Sequence, residues 1–130
     1  MADGISLSRI KQIGIPVDSV DKAKAFYGGT LGMRHLFDAP PALSFFDCGG
    51  VRLMLAGPEA QGADGPKQHP VLFYDVSDIQ TTHAKIKASG ARSLQDPHVI
   101  ARMNGQEIWL ASVDDGQGNV VSLMSEVATA

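Results

Sequence analysis

Apolar positions near the start of the chain change from a period of two to a helical period. Ile13, Ile15 and Val17 alternate with other residues, which is the spacing of one face of a β-strand. The helix-capping pair Asp18-Ser19 follows, and apolar side chains then recur three or four positions apart. The pattern predicts a strand and then a helix, which we expect to end in the glycine-containing segment 28–32.

Three further strand-like runs follow, and a tight turn joins the last two. The runs 43–48 and 51–56 flank Gly49 and Gly50, which suit the two positive-φ positions of a two-residue hairpin turn. A weaker run, 35–38, precedes them. The first half of the chain therefore predicts the order strand, helix, strand, strand, strand.

The same order restarts after a linker, residues 58–69, which is rich in glycine, proline, alanine and glutamine and has no apolar periodicity. The second half then shows, in order, a strand at 71–76, a helix capped by Asp78 and ended by Gly90, a hairpin about Asn104-Gly105, and a strand at 120–125. We therefore expect a single domain, 1–130, made of two similar modules, 8–57 and 70–126, with a site where the modules meet.

The composition argues against several classes of protein. The chain has 130 residues, of which 44% are hydrophobic, and its formal net charge of −3 is scattered without a run of either sign. We therefore expect neither nucleic acid nor a membrane as a partner. No apolar stretch approaches the roughly 20 residues that cross a bilayer, and the first residues lack the character of a signal peptide. Together with the single Cys48, these features favour a cytoplasmic protein.

Pairing across the first hairpin turn predicts which side chains share a face of the sheet. The pairs are Asp47 with Arg52 and Phe45 with Met54. We expect these four side chains to share the face of the sheet that points away from the helices, because the alternate residues are apolar and suit the helix side. Opposite charges across a hairpin are also common on solvated sheets, so the pair of Asp47 and Arg52 has a purely structural interpretation as well.

The same counting across the second turn predicts two faces of different character. The predicted pairs are Arg102 with Glu107, Ile100 with Trp109, and His98 with Ala111. The other face, with Val99, Ala101, Met103, Ile108 and Leu110, is uniformly apolar, so we expect it to cover the helices. The face away from the helices would then carry His98, Ile100, Arg102, Glu107 and Trp109.

Four motifs resemble the vicinal oxygen chelate superfamily, which includes glyoxalase I, extradiol dioxygenases and bleomycin-binding proteins. They are Ile13-Gly14-Ile15-Pro16-Val17, Ala25-Phe26-Tyr27 with Leu31-Gly32, Val76-Ser77-Asp78, and Asp115-Gly116-Gln117-Gly118-Asn119-Val120-Val121. The resemblance implies an α+β fold of two βαβββ modules, whose curved mixed sheets form a cup with the helices on its outer face. It also implies a homodimer. Members share this scaffold and differ in their sites, so the resemblance predicts the fold more closely than the activity.

In the metal-dependent members of the superfamily, four strands each supply one side chain to a divalent ion. The resemblance matches those positions to Gln12, Met54, Val71 and Ser122. Only Gln12 is a usual ligand, because such ions prefer carboxylate, imidazole or carbonyl donors. We therefore expect no metal at this place and no cofactor. The alternative is a relocated metal site through His69, with Glu107 or Gln12.

The expected cup mixes apolar and aromatic lining with a few polar groups, which is typical of small-molecule sites. The candidate ligand-binding residues are Gln12, Phe45, Asp47, Arg52, Met54, Val71, Phe73, Arg102, Trp109 and Ser122. We expect Trp109 either to contact the ligand or to fill the cup.

Two side chains are candidates for acid–base catalysis. His98 shares its predicted face with Glu107, and an imidazole titrates near neutral pH and is oriented well by a carboxylate. His98 equally suits a structural position at the start of a strand. Of the other histidines, we expect His35 at a strand edge and His83 on the surface of the second helix.

Three function classes follow, in order of preference. The first is a metal-independent protein that binds a hydrophobic or aromatic small molecule in the cup, as the bleomycin-binding proteins do. The second is a lyase or isomerase that uses Glu107 and His98 for proton transfer and Arg102 to stabilise an oxyanion. The third is a divalent-metal enzyme of the glyoxalase or dioxygenase type with relocated ligands.

Overall fold

The computed structural model describes residues 5–6, 8–61 and 71–129. It contains eight strands and two α-helices among these residues: β1 Gln12–Pro16, α1 Val20–Lys24, β2 Arg34–Ala39, β3 Leu43–Cys48, β4 Val51–Ala56, β5 Leu72–Asp75, α2 Ile79–Ala88, β6 Ser93–Met103, β7 Gln106–Asp114 and β8 Val120–Ala128. A π-helix, Ala25–Thr30, continues α1, and a short 3-10 helix, Pro58–Ala60, follows β4. His69 and most of the predicted linker lie outside the described residues.

Each half of the chain builds one mixed four-stranded sheet. The strand orders are β1-β4-β3-β2 and β5-β8-β7-β6. In each sheet the first strand runs parallel to the last strand of its module, and the other neighbours are antiparallel. The predicted α+β fold of two βαβββ modules is therefore confirmed.

Both helices begin at the predicted capping residues. The side-chain oxygen of Ser19 accepts a hydrogen bond of 3.2 Å from the backbone N–H of Lys22, and that of Asp78 accepts one of 3.1 Å from Thr81. The first helix does not stop at its first glycines, because the π-helix continues through them to Thr30. The chain then turns at Gly32, whose φ of +75° favours glycine.

A single hydrophobic core serves both modules. Its buried side chains include Ile15 and Phe46 from the first module, and Ile79, Val113 and Leu123 from the second. Each sheet therefore turns its helix-bearing face toward the common core. Because side chains alternate along a strand, the other face of each sheet points away from that core and is not covered by a helix. Below, we call these the first and the second uncovered face.

The loop before β8 fastens the second module to the first. The side-chain oxygen of Gln117 accepts hydrogen bonds of 2.9 and 2.7 Å from the backbone N–H groups of Asp18 and Ser19. The side-chain amide of Asn119 donates one of 2.9 Å to the carbonyl oxygen of Pro16. The two hydrogen bonds to Gln117 satisfy backbone N–H groups just before α1, so the loop also helps to cap that helix.

The prediction for His83 is wrong. This residue is only 5% exposed, and its Nε2 lies 2.9 Å from the hydroxyl oxygen of Ser93. It sits on the face of α2 that also buries Ile79 and Ile86. An imidazole with a hydrogen-bond partner packs well in such a position, since buried polar groups need partners. Among the described residues, no helix has the length and apolar character required to cross a bilayer.

Candidate functional site

The first uncovered face carries the side chains that the first hairpin predicts. Phe45 is the cross-strand partner of Met54, and Asp47 that of Arg52, as expected from the turn at Gly49-Gly50. Strand β1 lies beside β4 in parallel, with Gln12 next to Arg52. Because cross-strand partners share a face, all five side chains project from the side opposite the core.

Arg52 is directed toward β1 and not across the hairpin. Its Nε–H donates a hydrogen bond of 3.0 Å to Oε1 of Gln12, and its guanidinium carbon lies 5.7 Å from the ring centre of Phe45. Asp47 instead accepts a hydrogen bond of 3.2 Å from the backbone N–H of Gly50 and lies 3.8 Å from the guanidinium of Arg34. The predicted cross-strand neighbours are thus present, but they do not form the ion pair.

The spacing of apolar residues does not predict that Phe37 belongs to this face. The rings of Phe37 and Phe45 stack with their centres 4.4 Å apart and their planes at 23°. The register between β2 and β3 shifts between His35 and Phe37, which brings Phe37 opposite Phe45. A bulge of this kind leaves no signal in the spacing of apolar residues, so only the weak β-strand pattern around residue 37 hinted at it.

The second uncovered face carries three of the predicted residues. Val71 is 44% exposed, and Phe73 on β5 is 54% exposed and lies beside Ser122 of β8. Ser122 itself is only 3% exposed and faces Ser112 across the sheet. Large apolar side chains on this face are therefore open to solvent in the single chain.

The predicted register of the second hairpin is wrong beyond its first three pairs. The pairs from Met103 to Ala101 are as expected, but Val99 and not Ile100 lies opposite Trp109. His98 consequently lies opposite Leu110. Ile100 is the extra residue of a β-bulge, which shifts the pairing of Val99 and His98 by one position.

The predicted faces of β7 are also wrong. Trp109 alternates along β7 with Ala111 and Val113, which are fully buried, and it packs against the same core. Glu107 has the same parity, because β7 pairs with β8 without a bulge. The helix side therefore holds Glu107, Trp109 and its partners, whereas the apolar Ile108 and Leu110, which we expected there, belong to the uncovered face.

Arg102 lies opposite Glu107 at the end of the hairpin. Its Nε–H donates a hydrogen bond of 3.1 Å to Oε2 of Glu107, so this predicted cross-strand ion pair is present. Both residues lie on the same side as Trp109, which places three of the predicted cup residues away from the second uncovered face. A sequence signal for the buried face of this sheet lies in β8, where the apolar Val121 and Leu123 alternate with the polar Ser122.

His98 and Glu107 are not brought together. His98 shares the side of Leu110, the uncovered one, whereas Glu107 belongs to the helix side of the same sheet. Nδ1 of His98 lies 2.8 Å from the carbonyl oxygen of Asp96, a local contact within its own strand. A carboxylate that orients this imidazole for acid–base chemistry is therefore missing among the described residues of its sheet.

The four positions matched to metal ligands do not fit a divalent ion. Oε1 of Gln12 already accepts a hydrogen bond from the positively charged Arg52, and its Nε2 lies 3.5 Å from the sulfur of Met54. The guanidinium of Arg52, whose Nε lies 3.0 Å from Oε1 of Gln12, repels a second cation. Val71 has no donor atom. Across the described ranges, no group of three or more His, Cys, Asp or Glu side chains has a metal-binding arrangement.

Two mixed sheets with shared helix-side packing and uncovered opposite faces define a paired βαβββ protein. The family model described as the Glyoxalase/Bleomycin resistance protein/Dioxygenase superfamily matches residues 9–123. The chain belongs to this superfamily.

Solved structures show the same fold. A lactoylglutathione lyase from Agrobacterium tumefaciens is 24% identical, with a TM-score of 0.72 over 91% of this chain and 93% of that chain. A virulence protein from Salmonella typhimurium is 19% identical, with a TM-score of 0.74 over 93% and 98%. A glyoxalase-related enzyme from Fulvimarina pelagi is 16% identical, with a TM-score of 0.75 over 92% and 88%. Comparison with curated proteins gave no match.

Proposed function

We propose that this protein binds a hydrophobic or aromatic small molecule on its uncovered sheet faces, without a metal ion. The observation that carries the proposal is the hydrogen bond from Arg52 to Gln12, because it directs a cation at the one competent ligand of the matched metal positions. The exposed ring of Phe37, which stacks on the buried ring of Phe45, offers aromatic contact area on the same face. Apolar surface with a few polar groups is typical of small-molecule sites.

The proposal includes a homodimer in which a second copy helps to enclose the ligand. Phe37 on the first face is 46% exposed, and Phe73 on the second is 54% exposed. The two faces point away from the shared core, so within one chain they do not enclose a common space. Exposed apolar side chains on a sheet are expected to be covered by another molecule, and homodimers are the commonest way to do so.

The lyase or isomerase alternative has less support. It relies on His98 and Glu107, which lie on opposite sides of the second sheet, and on Arg102, which is engaged by Glu107. No observation in the described chain favours it over binding.

Titration of chelator-treated protein with the neutral fluorescent dye N-phenyl-1-naphthylamine tests the proposed function. We expect a saturable rise in dye fluorescence with a dissociation constant of about micromolar size, unchanged by added zinc. Phe37→Ala should weaken dye binding several-fold. Ile5→Ala, which removes an exposed apolar side chain outside both sheets, should not.

Two results would contradict the proposal. One is dye binding that does not saturate or that appears only after a divalent ion is restored. The other is chemical conversion of candidate aromatic ligands during long incubation, detected by chromatography of the recovered compound, which would favour an enzyme.

A further inference from the structure

The first uncovered face carries the guanidinium of Arg52, which forms no ion pair with a carboxylate of the described residues. Arg52 is half-buried, and its Nε–H is held by Gln12. The ion pairs formed among residues 5–6, 8–61 and 71–129 engage Arg34, Arg92 and Arg102, but not Arg52. The two Nη groups, which are the part of the fork best suited to bind an anion, therefore have no acidic partner in this part of the chain.

Contacts on two sides hold the guanidinium in place. The hydrogen bond to Gln12 anchors its Nε, and the ring of Phe45 lies 5.7 Å below its carbon atom. A cation over an aromatic ring is stabilised electrostatically, and its planar fork loses less entropy when it binds because it is already oriented. Arg52 is thus prepared to donate two parallel hydrogen bonds.

The charges around this group favour an anion. Asp47 is the one acidic cross-strand neighbour, and its carboxylate is directed to the backbone N–H of Gly50 and toward Arg34. The face therefore holds two arginines against one aspartate at this point. A bidentate pair between guanidinium and carboxylate is stronger and more specific than a neutral hydrogen bond.

An aromatic surface adjoins the cation. The rings of Phe37 and Phe45 stack 4.4 Å apart, and Phe37 leaves much of its surface exposed. Phe45 itself is only 8% exposed, so Phe37 supplies the aromatic surface that a ligand reaches, and the ring of Phe45 contacts both Phe37 and the guanidinium of Arg52. An aromatic acid matches a stacking surface next to a fixed cation.

We infer that the ligand of the first uncovered face is an aromatic carboxylate, whose ring packs against Phe37 and whose carboxylate binds the guanidinium of Arg52. In this arrangement the arginine supplies the positive charge that a metal ion would otherwise supply beside Gln12. The inference rests on the proposed function, because it names the ligand class of the same face.

Calorimetric titrations with benzoate and with benzamide, its neutral analogue of equal shape, test the inference. Benzoate should bind about tenfold or more tightly than benzamide, since the difference is one charge-assisted bidentate contact. Arg52→Gln should remove this preference and leave benzamide affinity within about twofold. Arg52→Lys, which keeps the charge without the fork, should bind benzoate with intermediate affinity.

Arg102→Gln is the matched control, because Arg102 also lies opposite an acidic residue beside a two-residue turn, but on the helix side. It should not change either affinity. Equal binding of benzoate and benzamide, or an unchanged preference in Arg52→Gln, would overturn the inference while leaving the proposed function intact. Absence of binding by benzoate, benzamide and the neutral dye alike would overturn both.

Discussion

The hydroxyl group of Tyr27 donates a hydrogen bond of 2.9 Å to Oδ2 of Asp115, a residue of the other module. Both side chains are buried, Tyr27 completely. Asp115 also accepts hydrogen bonds from the backbone N–H groups of Gln117 and Asn119 and from the side chain of Asn119. Tyr27 thus links α1 and its π-helical continuation to the loop that fastens the second module.

Removing this hydroxyl should destabilise the protein. We expect Tyr27→Phe to lower the free energy of unfolding by about 2 kcal/mol, because a buried hydrogen bond to a carboxylate is lost and the acceptor stays buried. Tyr74→Phe is the matched control, since the hydroxyl of Tyr74 is buried and has no hydrogen-bond partner within the described ranges. Its loss should change stability by less than about 0.5 kcal/mol, or increase it. Urea denaturation measures both, and equal losses in the two variants would contradict this account of Tyr27.

The same two tyrosines should make the protein sensitive to high pH. Burial, followed by the charge of Asp115, raises the pKa of Tyr27 far above its usual value near 10. Burial also raises the pKa of Tyr74, with a smaller effect from Cys48. The unfolded chain therefore loses these protons near pH 10 while the folded chain keeps them, so the unfolded state binds fewer protons above that pH.

Stability is consequently complete below about pH 10 and falls as the pH rises further toward the folded-state pKa values. The expected slope is about 1.4 kcal/mol per pH unit for each tyrosine. Urea denaturation between pH 9 and 11 measures it, in a Cys48→Ala background because burial raises the pKa of Cys48 as well. Tyr74→Phe should remove about half of the slope. Stability that stays constant across this range would show that the tyrosines ionise as readily in the folded protein.

The proposed dimer depends on the second uncovered face. Light scattering should give the wild-type protein twice the mass of one chain, and Phe73→Asp should reduce it to that of one chain, because a charge would replace an apolar contact. Ala84→Asp places the same charge on an exposed position of α2 and should leave the dimer intact. A wild-type protein with the mass of one chain at high concentration would remove the dimer from the account.

Glu107 should have no part in ligand binding. It lies on the helix side of the second sheet and pairs with Arg102. Glu107→Gln is therefore expected to leave the dye dissociation constant within about twofold and to cost at most about 1 kcal/mol of stability, as for a partly exposed ion pair. A dye dissociation constant that rises tenfold or more would instead show that Glu107 belongs to the binding site.

Turn chemistry explains why the first sheet was predictable. Gly49-Gly50 and the strands around it form a hairpin without a bulge, so counting from the turn placed Phe45, Asp47, Arg52 and Met54 on the correct face. The second hairpin has the more typical turn, yet the bulge at Ile100 breaks the count after three pairs.

The exchanged faces of β7 have a different physical cause, because both faces of that strand are apolar and its own residues do not show which one is buried. Trp109 and Ile108 are adjacent and both apolar, and the choice between them depends on packing against Val121 and Leu123 more than 10 residues away. The sequence also does not show which hydrogen-bond partner a charged side chain takes. Arg52 has an acidic cross-strand neighbour, but it bonds to Gln12 on a strand 40 residues earlier.

The central claim is that the guanidinium of Arg52, and not a metal ion, supplies the positive charge beside Gln12. Metal analysis by mass spectrometry, on protein purified without an affinity tag or chelator, tests it most directly. The account predicts no zinc, nickel, manganese or iron near one equivalent per chain. Retention of about one equivalent through mild chelation, with its loss in Gln12→Ala, would contradict the claim.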